Sequence, residues 1–450
     1  MQRILSTETV NKVGTEVLLQ GWVNARRNMG KIVFLDLRDR AGIVQVVGVP
    51  SELDEKSNEE LKKVRPEWVV ELRGIVQERG AKQKNPNLPT GTVEILAKEL
   101  KVLSAAQPLP LDLEDEKIGL DVHLDYLPIT LRAKKWRSLF KIQAEIVESF
   151  RSFLRGQGFT EFQSPKLVAA AAEGGANVFE VKYFDNKASL AQSPQFYKQI
   201  MVGVYERVFT VGNVFRAEEH ATTRHLNEYT SLDLEMGMIK DHTEVMELET
   251  ELLRFILNYL DKTVGAELKT WNYIRPEIPE KIPAFKLREV QEIIKKDTGV
   301  DHTKEPDLEP SEEKWIGEYA KKNFNSDFVF VTHYPTSKRP MYTYPDPADP
   351  EFTNSFDLLF RGIEITSGGQ RIHDYDQLVA NMKKKGLNPD DFKFYLETFQ
   401  FGMAPEGGLG IGLERLTARL LNIDNVKLAT LFPRDLNRID LQLSPPEYKQ

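Results

Sequence analysis

The run Gly408-Leu409-Gly410-Ile411-Gly412-Leu413-Glu414-Arg415 sets glycine at three alternate positions and then delivers a glutamate and an arginine. A strand whose alternate side chains are missing bares its backbone on one face, where a flat ligand can lie. The arginine that follows carries a planar fork of donors suited to phosphate oxygens. Taken alone, the run also fits a tight strand-to-helix turn. About 200 residues upstream, Val214-Phe215-Arg216-Ala217-Glu218 ends an apolar strand, and a polar loop, His220 to Arg224, closes on His225-Leu226-Asn227-Glu228-Tyr229.

At 450 residues and 41% hydrophobic content the chain can bury more than one core. No stretch approaches the roughly 20 uninterrupted apolar residues of a membrane span. The start, Met1-Gln2-Arg3-Ile4-Leu5-Ser6-Thr7-Glu8, lacks the pattern of a secretory signal. Cysteine is absent, which excludes disulfides, thiolate metal sites and a cysteine nucleophile. A cytoplasmic protein with no membrane partner is expected. The net charge of -8 argues against bulk coating of nucleic acid.

Short β-rich runs at Val17 to Val23, Ile32 to Arg38, Ile43 to Val49, Trp68 to Val76 and Thr92 to Leu103, with one helical interruption at Ser51 to Val64, match a five-stranded OB barrel. A small, proline-bearing stretch, Ser104 to Pro110, follows as a linker. The expected division is 1–104 barrel, 105–130 linker and 131–450 second domain. Leu131 to Arg155 spaces its apolar residues for a long helix ended by Gly156 and Gly158. Residues 241–325 are charged and helical in period, with helices expected at Thr243 to Leu260 and Phe285 to Thr298.

The 214–229 and 408–415 segments, with a third at Gly158-Phe159-Thr160-Glu161-Phe162-Gln163-Ser164-Pro165, resemble the three signature motifs of class II aminoacyl-tRNA synthetases. Gln192-Ser193-Pro194-Gln195-Phe196-Tyr197-Lys198-Gln199 and Ser367-Gly368-Gly369-Gln370-Arg371-Ile372-His373 are similar to the aspartyl-tRNA synthetases of the compact archaeal-like type. The resemblance covers essentially the whole chain. It implies an α+β fold, an N-terminal OB barrel that binds the anticodon plus a catalytic domain built on an antiparallel sheet flanked by helices, with 241–325 as a helical insertion. It implies a homodimer formed through the helix and strand of the first motif, although a helix packed on its own sheet explains the same periodicity. The implied reaction joins aspartate to tRNA(Asp) through an aspartyl-adenylate, with ATP as substrate and magnesium as cofactor, and leaves open whether tRNA(Asn) is charged too. The asparaginyl enzyme is the alternative.

Joining a carboxylate to the α-phosphorus of ATP brings two anions together, so the site must supply positive charge and in-line positioning. Arg216 and Arg415 are the implied catalytic pair. The ATP set implied by the resemblance adds Glu218 for the adenine amino group, Tyr229 for stacking, Arg224, His225 and Leu226 in the loop, and Glu364, Gly412, Leu413 and Glu414. Along Phe360 to Ser367, strand alternation sends Ile363 and Ile365 to one face and Glu364 and Thr366 to the other. Glu364 is then expected to bind magnesium, Ser367 adding a hydroxyl; Asp357 and Glu235 are further candidates that a buried acid–arginine pair explains as well. Telling aspartate from asparagine needs cations at the side-chain carboxylate, a part the resemblance gives to Lys198 and Arg371. Gln195 and Asp233 are implied to secure the amino group and the lysine, and Glu173 to ride on a closing loop, where Ala172 replaces the usual threonine. In the barrel, Arg26, Phe34 and Gln45 match the family's anticodon positions, with Phe34 stacking the central base, and Pro86 lies in the loop where relatives differ at the third base. A core phenylalanine is the plainer reading of Phe34.

Overall fold

A computed structural model of the chain describes residues 1–113, 115, 117–169, 177–219 and 222–443. Two units emerge, Met1–Asp112 and Leu113–Gln450. In the first, β1 (Glu16–Asn28), β2 (Val33–Arg38), β3 (Ile43–Gly48), β4 (Val69–Glu78) and β5 (Val93–Ser104) close into a barrel in the order β1-β2-β3-β5-β4, with helix α1 (Glu55–Lys63) between β3 and β4. This is the OB arrangement. Alternation drives it: Val33, Leu35 and Leu37 of β2 point inward with Val44 and Val46 of β3 and Leu72 and Val76 of β4. Asp54 caps α1 by accepting from Ser57 N at 2.7 Å.

The second unit begins with two short helices, α2 (Leu120–Asp125) and α3 (Leu127–Thr130), and then the long α4 (Lys134–Gly156). Leu139, Ile142, Ile146, Phe150 and Phe153 recur at helical spacing on α4 and all are buried. At about 1.5–3 kcal/mol each, these side chains anchor the helix to its own domain, which accounts for the periodicity without a partner. The chain continues through β6 (Thr160–Glu161), a small sheet of β7 (Leu167–Val168), β8 (Glu180–Tyr183) and β9 (Asn186–Leu190), helix α5 (Gln195–Tyr205), and the long strands β10 (Arg207–Phe215) and β11 (Glu228–Gly237). Helices α6 (Thr243–Thr263) and α7 (Gly265–Thr270), strand β12 (Ala284–Lys286), and helices α8 (Leu287–Thr298) and α9 (Pro310–Phe324) follow. Then come β13 (Phe328–Thr332), β14 (Ser355–Phe360), β15 (Ile363–Arg371), α10 (Tyr375–Lys384), α11 (Lys393–Gln400), β16 (Glu406–Gly412) and α12 (Leu413–Leu420).

The large sheet has the order β12-β13-β14-β15-β16-β11-β10-β6. Its six central strands are antiparallel, as expected, but each edge strand pairs in parallel, β12 with β13 and β6 with β10, so the sheet is mixed. The glycine-bearing β16 lies at its middle. Register sets Gly410 opposite Asp233 on one side and Ser367 on the other, and Gly408 opposite Glu235 and Gly369. Leu409 and Ile411, between those glycines, join the core beneath. One face of the central strands is therefore polar and open while the other is apolar and covered.

Candidate active site

A cleft of about 1290 Å³ opens on the polar face. Among the residues that the sequence assigned to aspartate, ATP or metal, all line it except three, of which Glu235 lies buried beneath the floor. Leu413 buries its side chain in the core, and Glu173 lies outside the described residues.

At the floor, Lys198 in the first turn of α5 is 1% exposed. A buried ammonium is costly unless its donors are met, and here Nζ reaches Asp233 Oδ1 at 2.9 Å, Leu409 O at 3.1 Å and Glu235 Oε2 at 3.2 Å. Glu235 is fully buried and also accepts from Arg371 Nε at 2.7 Å. Burial pushes the Glu235 carboxyl upward, but the Arg371 and Lys198 charges outweigh it and hold it below the usual range. It is thus spoken for as a counterion and unavailable to a metal. Arg371 Nη2 donates to Gly408 O at 3.0 Å and to Gln195 Oε1 at 3.4 Å. Besides Glu235 Oε2, which has only the Lys198 ion pair, Asp233 Oδ2 and Gln195 Nε2 are buried here without a hydrogen-bond partner. Asp233 Oδ2 is an acceptor suited to a substrate ammonium. Gln195 Nε2 is a donor, and with the Gln195 carbonyl already on Arg371 it suits a carboxylate oxygen better than the amino group expected.

The glycines of β16 are explained by these acids more than by a ligand. A Cβ on Gly408 would sit 2.2 Å from Glu235 Oε2, and one on Gly410 would sit 3.0 Å from Asp233 Oδ1. Only at Gly412 would a Cβ fit without a clash, its nearest neighbour being the Arg415 side chain at 3.8 Å.

Toward the other end, the Arg216 guanidinium lies 5.8 Å from the centre of the Tyr229 ring and 4.0 Å from Glu218. His225 shares a 2.6 Å hydrogen bond with Thr222 through Nδ1 and faces Glu218 at 3.8 Å through Nε2. Leu226 is 7% exposed and belongs to the core cluster, giving the cleft an apolar margin. Glu414 accepts from Thr230 N at 3.0 and 3.1 Å, and burial pushes its carboxyl up to about 7. It ties β11 to α12 and so fixes where Arg415 starts.

The simple alternation expected along β15 does not hold. A register shift opposite Leu358 and Leu359 leaves Ile365 unpaired, which is a β-bulge. The extra residue puts Glu364 and Ser367 together on the cleft, while Thr366 turns away and donates to Glu249 Oε1 on α6 at 2.6 Å. Ser367 Oγ lies 2.6 Å from Asp357 Oδ1 and 3.4 Å from Glu364 Oε1. Arg415 Nη1 sits 3.5 Å from Glu364 Oε1 and donates to Glu364 O at 3.1 Å. Among the described residues no group of three or more histidines and acids could hold a metal unaided. A magnesium ion held mainly by phosphate oxygens needs only one or two carboxylates. Glu364, its side chain 36% exposed, meets that requirement.

In the barrel, Phe34 is absent from the core cluster, and its neighbours Val33 and Leu35 take the inward positions, so the core reading of Phe34 does not hold. Gln45, through β2–β3 pairing with Asp36, shares that outer face. Arg26 does not: it pairs with inward Leu35 and directs Nη2 at the carbonyls of Leu61 and Lys62, 3.5 and 3.4 Å away. Arg27 takes its place beside Phe34, bonding Asp36 at 2.7 and 3.0 Å and Gln45 at 3.1 Å. Pro86 is exposed in the β4–β5 loop.

Residues 119–436 match the model for class II tRNA synthetases (D, K and N), and residues 17–103 match that for the OB-fold nucleic acid binding domain. The aspartate–tRNA(Asp/Asn) ligase of Thermus thermophilus is 47% identical over 97% of this chain and 99% of its own length. The chain belongs to the aspartate–tRNA ligase family of class II aminoacyl-tRNA synthetases. The aspartate–tRNA(Asp) ligase of Pyrococcus abyssi is 40% identical over 96% of this chain and 97% of its own. An asparaginyl-tRNA synthetase of Pyrococcus horikoshii, solved with asparaginyl-adenylate, superposes with a TM-score of 0.88 at 30% identity, covering 98% and 99% of the two chains. The fold is thus shared across amino acids, and side chains must make the choice. In this synthetase no helix among the described residues is long and apolar enough to cross a membrane.

Two residues of this synthetase's cleft region escaped the sequence reading. Arg339, from the segment between β13 and β14, pairs with Asp357 at 2.7 Å and stacks 3.9 Å from the centre of the Tyr334 ring. Burial pushes the Asp357 carboxyl up, and the nearby Arg339 charge only partly opposes this. Glu313, from α9, forms an ion pair with Arg224, and burial pushes it up to about 7. The adjacent cations Lys338-Arg339 before Pro340 were a usable signal for the first; an acid in a charged helix offers none for the second.

Proposed function

We propose that Lys198 and Arg371 bind the side-chain carboxylate of L-aspartate and thereby set the specificity of this aspartate–tRNA ligase. The observation that carries the reading is the buried layer in which Glu235 holds both cations at the cleft floor. Two cations against two acids leave that layer neutral, so a carboxylate is received without net repulsion, and an amide gains far less. Asp233 Oδ2 accepts from the substrate ammonium. ATP lies toward Tyr229, Glu218 and Arg415. The α-carboxylate oxygen of aspartate attacks the α-phosphorus, Arg216 drawing charge from both groups, and pyrophosphate leaves. The 3′-hydroxyl of the terminal tRNA ribose then attacks the adenylate carbonyl, forming the ester and releasing AMP. Glu364 and Ser367 would hold magnesium, which would supply charge neutralisation at the phosphates. Phe34, Gln45 and Arg27 receive anticodon bases on the outer face of the barrel. The reading includes a homodimer and extends to tRNA(Asn), which the Thermus relative's name also includes.

Pyrophosphate exchange with aspartate, asparagine and lysine in parallel tests this directly. Exchange with aspartate alone is expected; exchange with asparagine would overturn the carboxylate assignment. Charging transcripts of both tRNAs then measures the breadth, and light scattering the dimer.

A further inference from the structure

Helix α9 brings to the ATP end of the cleft an acid that the mechanism above leaves unused. Glu313, in the first turn of α9, pairs with Arg224 of the loop after β10, and its Oε2 accepts from Glu364 N at 3.4 Å. The paired side chains are 13% and 20% exposed, and Glu313 does not line the cleft. It therefore touches one residue from each side of the phosphate region without reaching the ligand. The contact depends on an unusually close approach of α9 to the β14–β15 turn. A Cβ on Gly317 would come within 2.8 Å of Gly362 N, and one on Gly362 within 2.8 Å of Lys314 Cα. Glycine inside a helix costs about 1 kcal/mol relative to alanine, and the close approach accounts for its presence in α9.

We infer that Glu313 is a positioning residue for ATP. It fixes the Arg224 guanidinium and the backbone at Glu364 relative to each other before the nucleotide arrives. This rests on the placement of ATP proposed above. A free arginine side chain has about 2 kcal/mol of rotamer entropy to lose on binding a phosphate, and prior fixation removes part of that loss. Competition between Glu313 and phosphate for Arg224 is the opposing possibility, with the opposite sign. The geometry favours positioning, because the pair uses Nη2 and a guanidinium has five N–H donors in all.

The test uses full-length Glu313→Gln, which keeps the shape, and Gly317→Ala, which keeps the acid but displaces α9. ATP affinity is read by calorimetry without amino acid, and KM for ATP and for aspartate by pyrophosphate exchange. Both variants are expected to weaken ATP binding roughly fivefold to tenfold while KM for aspartate stays within about twofold. Unchanged or tighter ATP binding in Glu313→Gln overturns the proposal, as does an equal rise of both KM values. Wild-type protein that binds ATP but shows no aspartate-dependent exchange would refute the functional reading alone, since the calorimetric comparison still decides Glu313. Wild-type protein that binds no ATP overturns both.

Discussion

Arg371 spends Nε on Glu235 and Nη2 on Gly408 O and Gln195, so its replacement has two separable effects. Arg371→Leu would strand Glu235 with one buried partner, which costs about 3–5 kcal/mol and confuses folding with function. Arg371→Lys keeps the charge but cannot fork. That variant is expected to fold, to raise KM for aspartate at least roughly tenfold through loss of about 1.5–3 kcal/mol of charge-assisted bonding, and to leave KM for ATP unchanged in exchange assays. Glu249 makes a pH prediction. Burial raises its carboxyl from 4.5 to about 8, so between those values the folded protein holds a proton that the unfolded chain has released, and stability falls as pH rises. Glu249→Gln keeps an acceptor for Thr366 and removes the titration. Its melting temperature should exceed wild type by a margin that widens from pH 5 to 8, with a limit of a few kcal/mol; parallel melting curves across that range would refute it. Lys198, Arg216, Glu364 and Arg371 were legible because each sits inside a short segment of distinctive wording. The pairings of Arg339 and Glu313 were not: Lys338-Arg339 marks a local cation, but the partners lie 18 and 89 residues away and no local pattern encodes them.

At the level of elements, the alternate glycines of β16 mark a strand whose neighbours carry inward acids. The sequence showed that side chains were missing there; what occupied the space came from β11, which no reading of 408–415 alone could supply. The same limit applies to β15, where alternation placed Glu364 correctly but the bulge at Ile365 reversed the phase for Thr366. Barrel and helix periods were legible because they repeat; α9 falls inside the stretch read as helical, 241–325, but its own bounds were not drawn, because its apolar residues lie amid charge. Two similar substitutions in β16 therefore differ in outcome. Gly408→Ala drives a methyl into Glu235 and the Leu234 carbonyl, each 2.2 Å away, and should cost about 1–3 kcal/mol of stability together with most aspartate-dependent exchange. Gly412→Ala meets nothing within 3.8 Å and has a φ of -76° that any residue adopts. Its thermal unfolding should match wild type, with any kinetic change confined to KM for ATP. Equal destabilisation of the two variants would contradict the register argument.

For the whole molecule, the proposed roles fall separately on the two units, and their separate cores make that division testable. The barrel buries Val17, Leu35, Val46, Leu72 and Ile95 among themselves, and the second unit has its own cluster around β11, β16, α4 and α6. Every residue proposed for adenylate chemistry lies in the second unit, and every one proposed for the anticodon lies in the first. Removing residues 1–112 should therefore leave aspartate-dependent pyrophosphate exchange within a few-fold of wild type. Charging should suffer more: one stacked base is worth about 1–3 kcal/mol, and loss of the Phe34 platform with the Gln45 and Arg27 donors should lower kcat/KM for tRNA by roughly a hundredfold or more. The full-length Phe34→Ala variant isolates the stacking share, expected at about tenfold on tRNA charging with exchange untouched. If the truncated protein charged tRNA as well as the intact chain, recognition would have to lie in the catalytic unit. The outer face of the barrel would then need another explanation for a half-buried phenylalanine on the strand face that also carries Arg27, Asp36 and Gln45.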